Sequence, residues 1–353
     1  MSKFMTRSCI FSVDKNGEII SSKSDGESLI EDSRLVVSEF NVGEDHYKIS
    51  HNVNRQITEE SGTFDAVVND LKKIAEQNEL YACRLRGYPQ GSILGAIAGD
   101  VIGSRFEHDP FKSTEFNVIH RDCFFTDDSV LTVALAETLL EGGDADAYAV
   151  KMRDYYQRYP DAGYGGNYHD WAQTDMGPYN SWGNGSAMRT SPVGWWYPTL
   201  EDTLEAAEAF AAVTHNHLEG IKGAQATAAA IFMARNGRTK WDIARYIELK
   251  FDYDLSPTVE EIRPDYAFDV SCAGTVPEAI ICFLYSNGIN DAIKLSISLG
   301  GDADTLACIS GSIASAYYGT SEETDDWVME QLDPELRSVV TRFNAAVVDS
   351  NDY

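Results

Sequence analysis

Two different hydrophobic periodicities divide the chain. From Gly91 onward, apolar residues recur at the three- and four-residue spacing of amphipathic and buried helices. This spacing predicts helices over 91–103, 128–141, 145–158, 201–213, 218–235, 240–249, 275–286, 290–298, 304–318 and 323–330. The intervening segments are rich in Gly, Pro and aromatic residues, as loops between helices are. The pattern therefore predicts an all-α fold for most of the chain.

The first part of the chain has short runs of β-forming residues instead. Asp14-Lys15-Asn16-Gly17 lies between two such runs and predicts a hairpin. Residues 34–40 and 46–50 predict two more strands, whereas 64–76 has helical spacing. The polar, acidic stretch Ser21–Ser33 between them is expected to be mobile. Gly87-Tyr88-Pro89 marks a break, so we predict a small α+β, β-rich domain over 1–87 and a helical domain over 88–353.

Two acidic strings lie far apart, each just before an apolar, charge-poor helix. The first is Thr126-Asp127-Asp128-Ser129, and the second is Gly300-Gly301-Asp302-Ala303-Asp304-Thr305. Buried carboxylates are costly unless a cation holds them. Carboxylate and hydroxyl oxygens suit Mg²⁺, Mn²⁺ or Ca²⁺ rather than Zn²⁺. Four carboxylates exceed what one ion needs, so the strings indicate a centre of two metal ions.

Helix capping is the alternative interpretation of both strings, because Asp, Ser and Thr are preferred N-caps. The chain contains its own comparison, since Gly142-Gly143-Asp144-Ala145-Asp146 repeats most of the second string. That copy lacks the Thr and precedes an ordinary amphipathic helix. It is expected to be a loop with a cap, and it shows that such letters alone do not define a metal site.

Further motifs surround the acidic strings. Gly91, Gly95, Gly99 and Gly103 are four residues apart, which predicts a smooth helix face that lets another helix approach closely. Asp100 interrupts the same apolar run, and Glu107 follows it. The segment 182–192 combines Gly, Asn, Ser and Arg, whose N–H groups and guanidinium suit phosphate binding. The aromatic stretch 163–182 predicts either a wall of the substrate site or core packing beneath a loop.

In this order, the motifs resemble those of ADP-ribosylhydrolases related to dinitrogenase-reductase-activating glycohydrolase. The resemblance rests on Gly95–Glu107, Thr126–Ser129, Gly183–Pro192, His215, Thr275–Ile280 and Gly300–Thr305, within about 88–348. It implies a compact all-α fold, a dinuclear centre with two divalent cations (Mg²⁺ first, Mn²⁺ as the alternative), and removal of ADP-ribose from a modified protein or small molecule.

The resemblance also implies a role for particular residues. The implied metal ligands are Thr126, Asp127, Asp128, Asp302, Asp304 and Thr305. Glu107 is the candidate base, or the residue that gates the site and holds ribose, and Asp128 is the candidate bridge between the metals. The candidate substrate-binding residues are Asn184, Gly185, Ser186, Met188, Arg189 and His215. For His215 and His217, a core hydrogen bond or a helix cap remains an alternative.

Composition limits the partners and the compartment. A formal net charge of −28 argues against nucleic acid and favours a basic protein partner, unless the acidity serves only solubility. No apolar stretch is long enough to span a membrane, and the first residues do not resemble a signal peptide. The six cysteines include no CxxC pair and are expected to be buried free thiols. These features predict a cytoplasmic protein.

The linkage that is cleaved stays open at this stage, among arginine, serine, ester and acetylated ADP-ribose. In overall build the chain resembles immunity proteins that neutralise ADP-ribosylating toxins, which would imply ADP-ribosyl-arginine. In that case residues 1–85 would bind and occlude the toxin; the alternative is that they only cover the helical domain. Two other functions remain open: hydrolysis of free derivatives such as O-acetyl-ADP-ribose, and non-catalytic toxin binding.

Overall fold

The computed structural model describes the backbone of six strands within residues 6–62, together with residues 91–319 and 322–350. The chain divides into two compact units, each packed mainly against itself. The N-terminal unit comprises Met1–Tyr88 with Arg238–Arg245, and the helical unit comprises Pro89–Gly237 with Tyr246–Tyr353. The predicted domain boundary at residue 87 stays a prediction.

The N-terminal unit contains two antiparallel sheets. Their strands are β1 (Thr6–Arg7), β2 (Cys9–Val13), β3 (Ile19–Ser24), β4 (Val36–Asn41), β5 (His46–Val53) and β6 (Gln56–Gly62). One sheet has the order β1-β4-β5-β6, and β2 pairs with β3 in the other. The two strands of the predicted hairpin therefore pair as expected. Outside the described residues lie the turn of this hairpin, the predicted helix over 64–76 and most of Ser21–Ser33. Ser21–Ser24 form the end of β3, so the mobile stretch predicted there was wrong at its start.

The helical unit follows the predicted series of helices, most of which begin and end within three residues of the predicted bounds. They are α1 (Leu94–Gly103), α2 (Asp127–Leu140), α3 (Ala145–Arg158), α4 (Gly166–Ala172), α5 (Gly185–Met188), α6 (Ser191–Trp196), α7 (Leu200–Ala212), α8 (Leu218–Arg235), α9 (Lys240–Phe251), α10 (Val259–Ile262), α11 (Cys272–Tyr285), α12 (Ile289–Ile297), α13 (Ala303–Tyr318), α14 (Glu322–Gln331) and α15 (Pro334–Ser350). The residues of α9 up to Arg245 are counted with the N-terminal unit. The pattern did not predict α4, α5, α6, α10 and α15. Four of these have seven residues or fewer, too short to show a clear period.

The glycine stripe of α1 lies directly against α13. A Cβ atom on Gly95 would lie 2.4 Å from the carbonyl oxygen of Gly311, and one on Gly99 would lie 2.0 Å from that of Ala307. A Cβ on Gly103 would lie 2.5 Å from the Cα of Asp304. Only glycine permits this approach, because any side chain would overlap the facing backbone. The contact brings Asp100 of α1 beside the acidic start of α13.

Helix α13 is the centre of the helical unit. Every residue from Ala303 to Ala316 is buried, as the charge-free composition from Thr305 onward predicts. Cys123, Cys272, Cys282 and Cys308 are buried free thiols, which agrees with the expectation for those four cysteines. Among the described residues, no helix combines the length and apolarity needed to cross a bilayer.

Candidate functional site

Asp100 is a buried carboxylate that several hydrogen bonds hold in one position. Its side chain is fully buried within α1. It accepts hydrogen bonds from the backbone N–H groups of Thr126 (2.9 Å) and Ser129 (3.1 Å). The hydroxyls of Thr126 (2.5 Å) and Ser129 also donate to it. Four donors from the first acidic string therefore hold one carboxylate, and this ties α1 to the start of α2.

Asp128 has a buried carboxylate oxygen without a hydrogen-bond partner in the described part of the chain. One of its carboxylate oxygens, Oδ2, accepts a weak hydrogen bond from the hydroxyl of Thr305 at 3.4 Å. The other, Oδ1, is buried and has no hydrogen-bond partner among the described residues. An ionised oxygen in that position is expensive unless a cation or a proton satisfies it.

The second acidic string differs from its near-copy in what its first Asp does. Asp144, in the copy, caps α3 by accepting a hydrogen bond from the N–H of Ala147 at 3.0 Å. Asp302 occupies the same position before α13, but its side chain makes no capping bond to that helix. It accepts instead from the side-chain amide of Asn184 at 2.7 Å. Capping therefore explains Asp144, as predicted, and does not explain Asp302.

The carboxylates form two overlapping groups. Asp100, Asp128 and Asp304 make one group, and Glu107, Asp302 and Asp304 make the other. Within each group, one oxygen of every residue lies within 4.8 Å of the others. Asp304 belongs to both groups and connects them. All five side chains are buried except that of Glu107, which is 27% exposed at the rim.

Burial sets the electrostatics of this cluster. It raises the pKa of Asp304 well above the usual range, and the charges of Asp128 and Asp302 raise it further. Burial likewise raises the pKa of Asp128, followed by the charges of Asp100 and Asp127. Burial raises the pKa of Glu107 too, although His108 opposes the effect. Carboxylates in such surroundings favour a bound proton or a cation.

The donor set fits a hard divalent cation. The ligand atoms of both groups are all carboxylate oxygens, which Mg²⁺ and Mn²⁺ prefer to thiolate or imidazole. The unpartnered Oδ1 of Asp128 is a further ligand position. The acidic residues are thus placed so that they can bind metal.

The other implied ligands lie beside the cluster with different contacts. The hydroxyl of Thr126 is engaged with Asp100, and the N–H of Thr305 donates to Asp304 at 2.9 Å. Asp127 is half-buried and belongs to neither carboxylate group, while its backbone N–H donates to the carbonyl of Ala162 at 2.7 Å. The metal-binding roles of Thr126, Asp127 and Thr305 stay predictions.

Arg189 and His215 form a second, buried polar contact. Arg189 is only 2% exposed and donates to the hydroxyl of Thr214 at 2.8 Å. That hydroxyl lies 2.7 Å from Nδ1 of His215. Burial, and then the charge of Arg189, lower the pKa of His215 well below its usual range, so the imidazole is neutral. His217 has the capping role instead, because its Nδ1 accepts from the N–H of Glu219 at 3.1 Å.

The segment 183–188 lies between this pair and the carboxylates. A Cβ atom on Gly185 would lie 3.4 Å from Nε2 of His215, so the start of α5 packs against the imidazole ring. Asn184 faces the carboxylates, as its bond to Asp302 shows. Ser186 donates to the carbonyl of Gly220 at 2.6 Å, and Met188 is buried. Ser186 and Met188 thus make packing contacts, and the substrate-binding role of the whole segment stays a prediction.

The aromatic stretch 163–182 is partly helical, because it contains α4. Tyr168 and Trp171 are buried on this helix. Tyr164 stacks on Tyr168 with ring centroids 5.0 Å apart. Trp182, at the other end, is 50% exposed. Core packing therefore describes Tyr168 and Trp171, and Trp182 is free for a contact at the surface.

Sequence reasoning noted Asp100 but did not assign it to the site. Its signal was a lone carboxylate inside a glycine-striped, otherwise apolar helix. A charge at such a position is buried on any compact fold, and buried charges are rare unless they are paired. That argument predicts a buried, hydrogen-bonded or cation-bound Asp100, but not which residues surround it.

The comparisons with known proteins agree with this geometry. A family model described as ADP-ribosylglycohydrolase matches residues 85–351. ADP-ribosylhydrolase ARH3 of Mus musculus is 26% identical over 317 residues, which covers 67% of this chain and 85% of that protein. ADP-ribosylarginine hydrolase Tri1 of Pseudomonas putida (strain GB-1) is 25% identical over 290 residues, covering 68% of this chain and 72% of that protein.

A solved structure described as an ADP-ribosylglycohydrolase-related protein complex shares the fold. It superimposes with a TM-score of 0.54 at 24% identity, covering 73% of this chain and 97% of that one. The family match over residues 85–351 includes every member of the carboxylate cluster. The chain therefore belongs to the ADP-ribosylglycohydrolase family, and its activity is that of an ADP-ribosylhydrolase.

Proposed function

We propose that the helical unit hydrolyses the N-glycosidic bond between ADP-ribose and an arginine side chain of a modified protein, with two divalent cations bound at the carboxylate cluster. The observation that carries the proposal is the pair of carboxylate groups that share Asp304. Two ions with one common ligand match that arrangement. Mg²⁺ is the proposed ion, because every clustered ligand atom is a carboxylate oxygen, and Mn²⁺ is the alternative.

The chemistry needs a nucleophilic water and an oxocarbenium-like state at the ribose. Bound cations supply positive charge that lowers the pKa of a water and attracts ribose hydroxyls. Glu107 is the proposed acceptor of that water's proton, and its partial exposure, alone among the clustered carboxylates, and its raised pKa support this role. Asn184 orients Asp302, and the four donors to Asp100 keep that carboxylate fixed.

Two features favour arginine as the modified residue. The Tri1 relative is described as an ADP-ribosylarginine hydrolase. The net charge of −28 also favours a basic protein substrate. The ARH3 relatives, with similar identity, are described as ADP-ribosylhydrolases with no linkage named. The second candidate function is therefore hydrolysis of another ADP-ribosyl linkage or of free derivatives such as O-acetyl-ADP-ribose.

Release of ADP-ribose tests these alternatives directly. The purified chain is given arginine-modified protein, serine-modified protein and O-acetyl-ADP-ribose, each with Mg²⁺ or with a chelator. We expect the fastest turnover on the arginine linkage and its loss in chelator. Faster turnover of another substrate would show that arginine is not the preferred linkage. Full activity in chelator would refute the metal centre.

The near-copy of the acidic string supplies a matched pair of variants. Asp302→Asn should lower kcat/KM by roughly 100-fold or more, because it removes a ligand rather than an orienting group. Asp144→Asn makes the same change before α3, where Asn still caps the helix, and should leave activity unchanged. Equal effects of the two substitutions would contradict the assignment of Asp302.

We further propose that the protein acts as an immunity protein, and that residues 1–85 bind and occlude a cognate ADP-ribosyltransferase toxin. The support is the acidic stretch with Asp25, Glu27, Glu31 and Asp32, which complements a basic cleft that binds diphosphate. Neutralising these four side chains should weaken binding to the toxin while hydrolysis stays normal. Glu107→Gln should do the reverse. Unchanged toxin affinity after neutralisation would contradict this role of the stretch.

A further inference from the structure

Lys112 makes an unusual set of contacts five residues after Glu107. Its ammonium donates to the backbone carbonyls of Arg263 (2.8 Å), Tyr266 (2.5 Å) and Leu299. Three acceptors use all three N–H donors of a lysine. One side chain thus joins the chain that follows Glu107 to two separate segments of the helical unit.

Both of these segments lead to the carboxylate cluster. Leu299 is three residues before Asp302. A Cβ atom on Gly300 would lie 3.0 Å from Cε of Lys112, and one on Gly301 would lie 2.3 Å from the ring of Tyr266. Gly300 also has a φ of +68°, a conformation that favours glycine. The lysine, Tyr266 and the two glycines therefore form one packed junction immediately before Asp302.

Glu107 directly follows the short 3-10 turn Ser104–Phe106, which continues α1 and is buried at Ser104 and Phe106, whereas the loop after Glu107 has fewer constraints. Within the described range 91–319, no helix or strand lies between Phe106 and Asp127. An aromatic cluster of Phe106, Phe111 and Phe116 packs inside this loop, with ring centroids 4.8–5.8 Å apart. The cluster gives the loop its shape, but it consists only of residues within the loop and its start. Two lysines link this loop to the chain before Asp302: Lys112 bonds the carbonyl of Leu299, and Lys294 of α12 lies over the ring of Phe116.

We infer that Lys112 is a positioning residue, a latch that holds Glu107 against Asp302 and Asp304 by bonding the carbonyls of Arg263, Tyr266 and Leu299. The inference rests on the proposed function, since it concerns the geometry of the proposed base. Lys112 is exposed to solvent, where a hydrogen-bonded ammonium is only weakly favoured over a hydrated one.

The test compares Lys112→Met with Lys294→Met. Lys294 of α12 lies over the same aromatic cluster, 5.6 Å from the ring of Phe116. The carbonyls of Arg263, Tyr266 and Leu299 bond the ammonium of Lys112 and not that of Lys294 among the described residues. We expect Lys112→Met to speed amide hydrogen exchange over 107–116 in metal-free protein. We also expect Mg²⁺ affinity, measured by calorimetry with the metal alone, to fall about tenfold, as for other groups that orient ligands.

The kinetic readout separates positioning from general destabilisation. In Lys112→Met, kcat should fall about tenfold while KM changes little, and the melting temperature in chelator should stay within about 2 °C, because the latch is exposed. Lys294→Met should match the wild-type protein in all of these measurements. Unchanged exchange and Mg²⁺ affinity in Lys112→Met would overturn the inference. So would a loss that Lys294→Met shares, or one that merely follows a lower melting temperature.

The two proposals fail in different ways. If the wild-type chain hydrolyses no ADP-ribosyl substrate, the proposed function fails, but faster exchange and weaker Mg²⁺ binding in Lys112→Met would still establish the latch. If wild-type turnover is normal and Lys112→Met equals it in exchange, ion affinity and kcat, the latch alone fails.

Discussion

The contact between α1 and α13 makes Gly99→Ala an informative substitution. The added methyl carbon would lie 2.0 Å from the oxygen and 2.2 Å from the carbon of the Ala307 carbonyl. Real Cβ contacts are not closer than about 3 Å, so the two helices must separate by roughly 1 Å. Overpacking of this kind costs about 3 kcal/mol, since both partners are backbone atoms that no rotamer change can move.

The separation should also reach the carboxylate cluster. Asp100 follows Gly99, and Asp304 lies one turn before Ala307, so the shift moves members of one ligand group apart. We expect the melting temperature of Gly99→Ala in chelator to fall by about 6 °C, at roughly 2 °C per kcal/mol for a chain of this size. Mg²⁺ affinity should fall as well.

The assay is thermal unfolding with and without Mg²⁺, with Gly166→Ala as the control. Gly166 is also helical, but a Cβ atom there would meet nothing within 4 Å. That substitution should leave the melting temperature unchanged or slightly higher, because Ala is the better helix former. A Gly99→Ala protein that melts and binds Mg²⁺ like the wild type would refute the close helix contact.

Three further predictions follow from the electrostatics. Asp304→Asn should raise the melting temperature in chelator, because it removes a negative charge that burial and the charge of Asp128 disfavour. It should also abolish the increase in the free energy of unfolding that Mg²⁺ gives the wild type, about 2.7 kcal/mol at an Mg²⁺ concentration of 100 times Kd. Burial raises the pKa of Glu278 to about 7, so wild-type stability should fall as pH rises from about 4.5 to 7. Glu278→Gln should remove that fall and raise the free energy of unfolding at pH 8 by about 3 kcal/mol, as measured by denaturant titration. If the variant's stability depends on pH as the wild type's does, the prediction is wrong. Wild-type kcat should rise with pH as Glu107 ionises, from a pKa that burial raises, and Glu107→Gln should lose both turnover and this rise.

Most of the helical unit was predictable from the sequence. The bounds of the longer helices other than α15 follow from apolar periodicity, because each must bury a face against the same core. The 17-residue helix α15 was missed. The charge-free run after Thr305 could only be a buried helix, and α13 has that position. The short helices α5, α6 and α10 were not predictable, because one turn of helix has no period and depends on the packing around it.

The site divides in the same way. Residue chemistry alone indicated a metal centre with oxygen ligands, and the glycine stripe predicted a close helix contact beside it. The missing Thr and the amphipathic helix after it already separated Asp144 from Asp302 in the sequence, and the tertiary structure added the contacts: Asp302 bonds the amide of Asn184, whereas Asp144 caps α3. The contact of α1 with α13 likewise brought Asp100 and Asp304 together across more than 200 residues of chain. Such ligand groups form only where two helices pack closely, and local sequence patterns do not show which distant residues this packing brings together.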